Sequence, residues 1–200
     1  QANVEAALAT ISVARQLGSL RAIRQQFFAE ASLRGNLGVF MVVDGVASDV
    51  HDEPLREGQS FLIDCVSHCR HFHGDFGRTV FVGEPHRRIR ACTDAMATTW
   101  AELQPALRPG LRFSQIGALG REILHKLGVD VPVNFNPHSV GFAHSDQPRR
   151  APDGGPLDIV LEAGMILSVD CPLGEAGAGG TAHLEDLVLI TGSGAVPIHD

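Results

Sequence analysis

The sequence predicts an α+β fold made of a duplicated unit. Helical and strand-like segments recur in one order, helix–helix–strand–strand–strand, in the first and second parts of the chain. No linker divides those parts; the polar stretch QPRRAPDGGP (147–156) reads as a loop inside the second. At 200 residues with ordinary apolar content, the chain suits one large domain or two small halves around a shared core.

The elements follow in order. Val4, Ala7, Leu8, Ile11 and Val13 or Ala14 recur at helical spacing over 4–15, and Gly18-Ser19 punctuates. Leu20, Ile23, Phe27 and Leu33 give a second helix one apolar side, with Gly35 as its stop. GVFMVVDGVA (38–47) reads as a buried strand. LREGQSFLIDCVS (55–67) and FGRTVFVG (76–83) read as two strands joined by a turn. The pattern then restarts with a long helix over 85–107, broken by Pro109-Gly110. A second helix over 113–128 closes at Gly128, and strands follow at 131–143, 164–172 and 183–192. A duplicated unit of this kind often builds a site at the seam between its halves.

Composition narrows the function. A formal net charge of −7 argues against non-specific nucleic-acid binding. No apolar run approaches the ~18–20 residues of a membrane span. The N-terminus reads as an amphipathic helix rather than a signal peptide, and the missing initiator Met suits a fragment or a processed form. Cys65, Cys69, Cys92 and Cys171 show no disulfide-framework spacing, which points to a reducing cytoplasm. His51, His68, His71, His73, His138 and His144 cluster in two regions, a stronger chemical hint than any bulk number.

The stretch FLIDCVSHCRHFHGDFGRTV (61–80) concentrates possible metal ligands. With Asp64 opposite Asp75, the hairpin turn centres near Cys69-Arg70. Asp64, Val66, His68, His71, His73 and Asp75 then share one face, and Cys65 and Cys69 the other. A bulge at Gly74 would alter the inner register. Facing carboxylates repel unless a positive charge lies between them, and a divalent cation meets that need. The plain alternative is a pair of exposed aspartates on a hairpin edge. A zinc site from Cys65, Cys69, His71 and His73 would need residues from both faces, so a solvated, His-rich turn is the better reading.

The order of motifs resembles the pita-bread metallohydrolases, the family of creatinase, prolidase and methionine aminopeptidase. Asp64 and Asp75, eleven apart, are followed by Arg78-Thr79. His138 lies in H-S-V-G, with Pro148 ten residues on. Gly164-Met165 leads to Asp170, then Cys171 and Pro172, and Glu185-Asp186 opens the last strand. The resemblance covers essentially the whole chain. It implies a pita-bread fold of two pseudo-symmetric halves, about 1–83 and 84–200, around a curved antiparallel sheet. It also implies one catalytic domain over 1–200, without the N-terminal domain usual in prolidase-type relatives.

The resemblance implies two divalent metal ions, with Mn the first guess and Co, Zn or Fe the others. Asp64 would chelate one ion, His138 and Asp170 the other, and Asp75 and Glu185 would bridge them. A hydroxide shared by the ions would attack the substrate carbonyl. Glu185 or Asp170 would move the proton, and His51 or His144 would steady the oxyanion. Three positions depart from the family. Asp170 replaces the usual Glu. His144 lies one residue before the register of the family's substrate-side histidine, so a local bulge restores it or the role is lost. His183 stands where proline-directed members often carry Arg.

His51 matches the histidine that precedes the family's first Asp, at a shorter spacing; a surface-loop histidine beside Asp52 and Glu53 is the other reading. Trp100 and Cys171 read as packing residues, and Arg149-Arg150 as a solvated pair. The function implied is an Xaa-Pro dipeptidase-like metallopeptidase acting on a dipeptide or short peptide. A creatinase-like hydrolase or a lyase on a small non-peptide molecule is the alternative. A homodimer is expected from the family, with no nucleic-acid or membrane partner.

Overall fold

A computed structural model describes residues 1–43, 52–130, 133–147, 153, 157–173 and 181–199. Helices α1 (Ala2–Leu17) and α2 (Leu20–Leu33) precede strands β1 (Leu37–Val43), β2 (Ser60–Cys69) and β3 (Phe72–Phe81). Helices α3 (Arg87–Leu103) and α4 (Phe113–Lys126) precede β4 (Asn136–Ser139), β5 (Ile166–Leu173), β6 (Ala182–Thr191) and β7 (Gly194–Pro197). The helix–helix–strand order therefore recurs, with β7 as an addition. The strands form one antiparallel sheet ordered β1-β2-β3-β6-β5-β4, and β7 pairs with β6.

Each half carries its own apolar core. Val4, Ala7, Ile23 and Phe27 of α1 and α2 pack on Phe61, Ile63, Cys65, Phe76 and Val80. Ile89, Met96 and Trp100 of α3 and Ile116 and Leu124 of α4 pack with Leu167, Val169, Cys171 and Val188. Full burial of each large side chain contributes ~1.5–3 kcal/mol. Strand alternation then turns the residues between them, Asp64, Asp170 and Glu185 among them, to the opposite face. Ser19 caps α2 by accepting from the Ala22 N–H at 3.3 Å, and Gly18 before it takes a left-handed φ of 75°. Two expected core positions are exposed: Leu8 at 49% and Leu33, the last residue of α2, at 80%.

The hairpin register differs from the one expected. Val66 pairs with Asp75, and Asp64 with Gly77. The turn is Arg70-His71, both at positive φ (51° and 72°), the mark of a two-residue turn matched to strand twist. A shift of two residues preserves the face, so Asp64 and Asp75 still share it. His71 lies in the turn rather than on that face. Gly74 makes no bulge: a Cβ there would stand 2.6 Å from Asn3 Cβ, so the glycine admits α1. The strand expected over 131–143 shrinks to Asn136–Ser139, and the chain bends from Gly141 onward. The outer part of the first strand, beyond Val43, lies outside the described residues.

Among the described residues, three pairs join the halves along the β3–β6 ladder: Phe76 with Asp186, Gly77 with Glu185, and Arg78 with Leu184. Side chains extend this seam. Arg78 Nη1 donates to the Glu185 carbonyl (2.8 Å) and Nη2 to Asp186 Oδ1 (2.6 Å). The Thr79 hydroxyl accepts from the His183 N–H (2.8 Å) and donates to its carbonyl (3.2 Å). Trp100 Nε1 reaches Asp186 Oδ2 at 3.0 Å from the helix side. Asp186 therefore faces the helices, and Glu185, next along the strand, faces away.

Candidate metal centre

The face away from the helices gathers carboxylates and imidazoles from four strands and one bend. Asp64 comes from β2 and Asp75 from β3. Glu185 and His183 come from β6, two residues apart and so on one side of the strand. Asp170 lies on β5, where the pairs Ser168–Leu187 and Cys171–Leu184 bracket it in register with Glu185. His138 on β4 pairs with Ser168, and Asn136 with Asp170, so His138 joins the same face.

His144 arrives by a different route. The chain leaves extended geometry after β4; the Gly141 N–H donates to the Ala143 carbonyl (3.1 Å), and the His73 N–H to the Gly141 carbonyl (2.9 Å). The bend cancels the one-residue offset and brings His144 Nε2 to 3.1 Å from Asp75 Oδ2. Phe40 packs edge-on against its ring at 4.9 Å.

The contacts close into a network. His138 Nε2 lies 3.5 Å from Asp75 Oδ2 and 3.4 Å from Glu185 Oε1. Ser168 Oγ donates to Glu185 Oε1 at 2.6 Å. His183 lies 3.3 Å from Glu185 Oε2 through Nε2 and 3.3 Å from Asp170 Oδ1 through Nδ1. Two groups of possible ligand atoms, each within 4.8 Å of one another, emerge among the described residues: Asp75, His138 and His144, and Asp64, His183 and Glu185. Asp170 falls in neither group.

These residues fit a cation. Asp64 Oδ1, both oxygens of Asp75 and Asp170 Oδ1 are buried without a well-formed hydrogen bond, the imidazoles beside Asp75 and Asp170 notwithstanding. Buried carboxylates are normally paired, hydrogen-bonded or neutral. Burial, then the charges of Glu185 and Asp75, push the Asp64 carboxyl up to about 8. Burial and Glu185 drive Asp75 well above the usual carboxylate range, and Asp170 rises for the same two reasons. Burial also pushes Glu185 up, but hydrogen bonds from His138, His183 and Ser168 outweigh it and hold the group ionised. Burial lowers His138, yet the Glu185 hydrogen bond and the Asp75 charge carry it to about 9. Burial and the neighbouring His138 lower His144. The carboxylates cannot all ionise together without added positive charge, which a cation would supply.

A family model described as metallopeptidase family M24 matches residues 5–192. The chain belongs to metallopeptidase family M24. It is 28% identical to the Xaa-Pro dipeptidase of Pyrococcus furiosus over 152 residues, 76% of this chain and 42% of that protein. The chain thus spans less than half the length of that relative. Among solved structures, the dipeptidase PepE of Mycobacterium ulcerans matches 100% of this chain and 57% of its own, at 20% identity and a TM-score of 0.76. A methionine aminopeptidase from Thermotoga maritima matches 98% of this chain and 92% of its own, at 18% identity and a TM-score of 0.75. These likenesses show the pita-bread fold, a curled antiparallel sheet backed by helices.

Of the M24 candidates read from the sequence, the fold brings together Asp64, Asp75, His138, His144, Asp170 and Glu185. His51 lies outside the described residues, as do Pro148 and Arg149-Arg150. Cys65 is fully buried on the helix side, Cys69 is exposed, and neither joins a ligand group. Trp100 and Cys171 are buried in the second core. His183 was read only as a departure from the family, not as part of the site. The missed signal is its place two residues before Glu185 on a strand, which fixes a shared face.

Proposed function

We propose that this M24 chain is the catalytic part of an Xaa-Pro dipeptidase-like metallopeptidase that hydrolyses a dipeptide or short peptide with two divalent ions. The observation that carries it is the set of buried oxygens without a well-formed hydrogen bond on Asp64, Asp75 and Asp170, beside ionised Glu185. Asp64, Asp75, His138, Asp170 and Glu185 would hold the ions. Bound there, the ions supply Lewis acidity and a water of lowered pKa.

The protein residues divide the remaining tasks. Glu185 or Asp170 accepts the proton, and the Ser168 hydroxyl, donating at 2.6 Å, orients the Glu185 carboxylate. His144 is the substrate-side donor through Nε2. Its side chain is 33% exposed, against 15% for His138 and 3% for His183, so it is the imidazole a substrate reaches first. Its lowered pKa leaves it neutral at pH 7, able to donate one hydrogen bond to a developing oxyanion. The relatives' names favour a peptide over the non-peptide alternative.

The proposal extends to a cytoplasmic homodimer that uses manganese first among Mn, Co, Zn and Fe. All four cysteines are free, which suits a reducing compartment. No described helix is long and apolar enough to cross a membrane. The test is amino-acid release from a panel of Xaa-Pro and Xaa-Ala dipeptides by protein stripped and reloaded with each metal. Metal-dependent release by wild type, lost in Asp75→Asn, is expected. A folded, metal-loaded protein that cleaves no member of the panel would sink the peptidase reading.

A further inference from the structure

His183 has no task in the scheme above, yet its position is the most constrained of the three imidazoles. It is 4% exposed. Its backbone is held at both ends by the Thr79 hydroxyl. Its ring lies over β3 at Gly77: a Cβ on that residue would stand 2.1 Å from both Cδ2 and Nε2 of His183. Gly77 pairs with Asp64 on one side and with Glu185 on the other. The imidazole therefore fills the place of a missing side chain in the row Asp64–Gly77–Glu185. One ring nitrogen faces Glu185 Oε2 and the other Asp170 Oδ1, each at 3.3 Å. Nδ1 and Asp170 Oδ1 are both buried without a well-formed hydrogen bond, although they point at each other.

We propose that His183 is itself a metal ligand, giving the Asp64 side of the centre an imidazole of its own. The inference rests on the metal-centre reading above and deepens it. Asp64, His183 and Glu185 already bring one ligand atom each within 4.8 Å of the others, a grouping that Asp170 does not join. Whichever ring nitrogen takes the ion, the other faces a carboxylate that fixes the ring, the usual support of a metal-bound histidine. Asp170 then serves, wholly or in part, as that support. The donor set becomes richer in nitrogen: His138 on one side, His183 on the other. Imidazole ligation suits Zn and Co better than the carboxylate-rich set that suits Mn, so with His183 as a ligand the manganese-first order given above is reversed in favour of that pair.

A rival role for His183 is a buried imidazolium that neutralises Glu185. The two roles differ in sign. Removing a ligand weakens metal binding, whereas removing a positive charge beside the ions leaves binding unchanged or tightens it.

The test uses the full chain, stripped and titrated with Co(II), Zn(II) and Mn(II) against a chelator, with the visible absorption of the Co(II) form recorded. His183→Gln should lower Zn and Co affinity for one equivalent at least ~10-fold and alter the Co(II) bands, with a smaller change for Mn. His183→Asn, a smaller polar replacement that leaves Gly77 and Glu185 untouched, should reproduce this. If thermal melts show His183→Gln unfolded, His183→Asn decides. Wild type that binds metal, with a folded variant of equal or higher affinity and an unchanged spectrum, overturns the inference and leaves the metal centre standing. Wild type that binds none overturns both.

Discussion

The hairpin β2–β3 carries possible metal ligands both nearer its base and at its tip, and treats them in opposite ways. At the tip, the His68 ring stacks on His71 at 5.5 Å and lies tilted against His73 at 5.1 Å, beside exposed Cys69. Backbone groups are their partners there, the His71 N–H for His68 and the His71 and Gly141 carbonyls for His73, and no ligand group forms among them. At the base, Asp64 and Asp75 meet residues of β4, β5 and β6, lose water and shift far from their ordinary pKa values. A sequence cluster of ligands is therefore weak evidence of a site. Convergence of several strands on a buried face is stronger, because desolvation makes an unpaired charge costly and a cation worth binding.

The sharpest contrast is metal content. Asp75→Asn should abolish the about two ions per chain expected of a dinuclear centre, measured by elemental analysis after gel filtration. Retention of both ions would break the comparison at its base. Next comes acid–base behaviour of the metal-free protein. Asp64 at about 8 and His138 at about 9 lie above their unfolded values of 3.8 and 6.5, so the folded state binds the extra protons. Stability must then fall as pH rises, through 4–8 for Asp64 and 6.5–9 for His138. Glu185, lowered on folding, acts in the other sense and only below about pH 4.5. The melting temperature of stripped protein should drop from pH 6 to pH 9, and metal should remove most of that drop. A flat profile without metal would mean that the carboxylates are not desolvated in solution.

A smaller effect sharpens the same point. Loading at pH 7 should release at least two protons per chain, from Asp64 and His138, with Asp75 adding to them, read by calorimetry in buffers of different ionisation enthalpy. The smallest belongs to the tip. His68→Gln with His71→Asn should leave metal content unchanged and stability within about 0.5 kcal/mol, Asn being chosen because it tolerates the positive φ. Loss of metal in that double variant would overturn the division between tip and base.

The order of elements was legible in the sequence because helix spacing and strand alternation are local signals. The face shared by Asp64 and Asp75 was legible too, since it depends only on whether the register shift is even or odd. The register itself was not: an Arg-His turn at positive φ lacks the Gly or Asn that would have marked it. The placement of His144 hung on a bend after β4, which depends on the contact between Gly141 and His73 across the fold. The face His183 shares with Glu185 was legible as well, because two residues apart on a strand is as local a signal as helix spacing.

The seam between the halves has a mechanical consequence. Three ladder pairs are a thin hinge for a sheet of this width, and Gly77, at their centre, offers no side chain to brace it. Candidate ligands for a cation stand on both sides: Asp64 and Asp75 belong to the first half, and His138, Asp170, His183 and Glu185 to the second. An ion held across that line works as a rivet. Opening of the sheet along β3–β6 would expel it, and its retention would suppress that opening in proportion to its affinity. Amide exchange at Phe76–Arg78 and Leu184–Asp186 thus becomes a gauge of occupancy, slowing with each ion gained while the outer strands keep their pace.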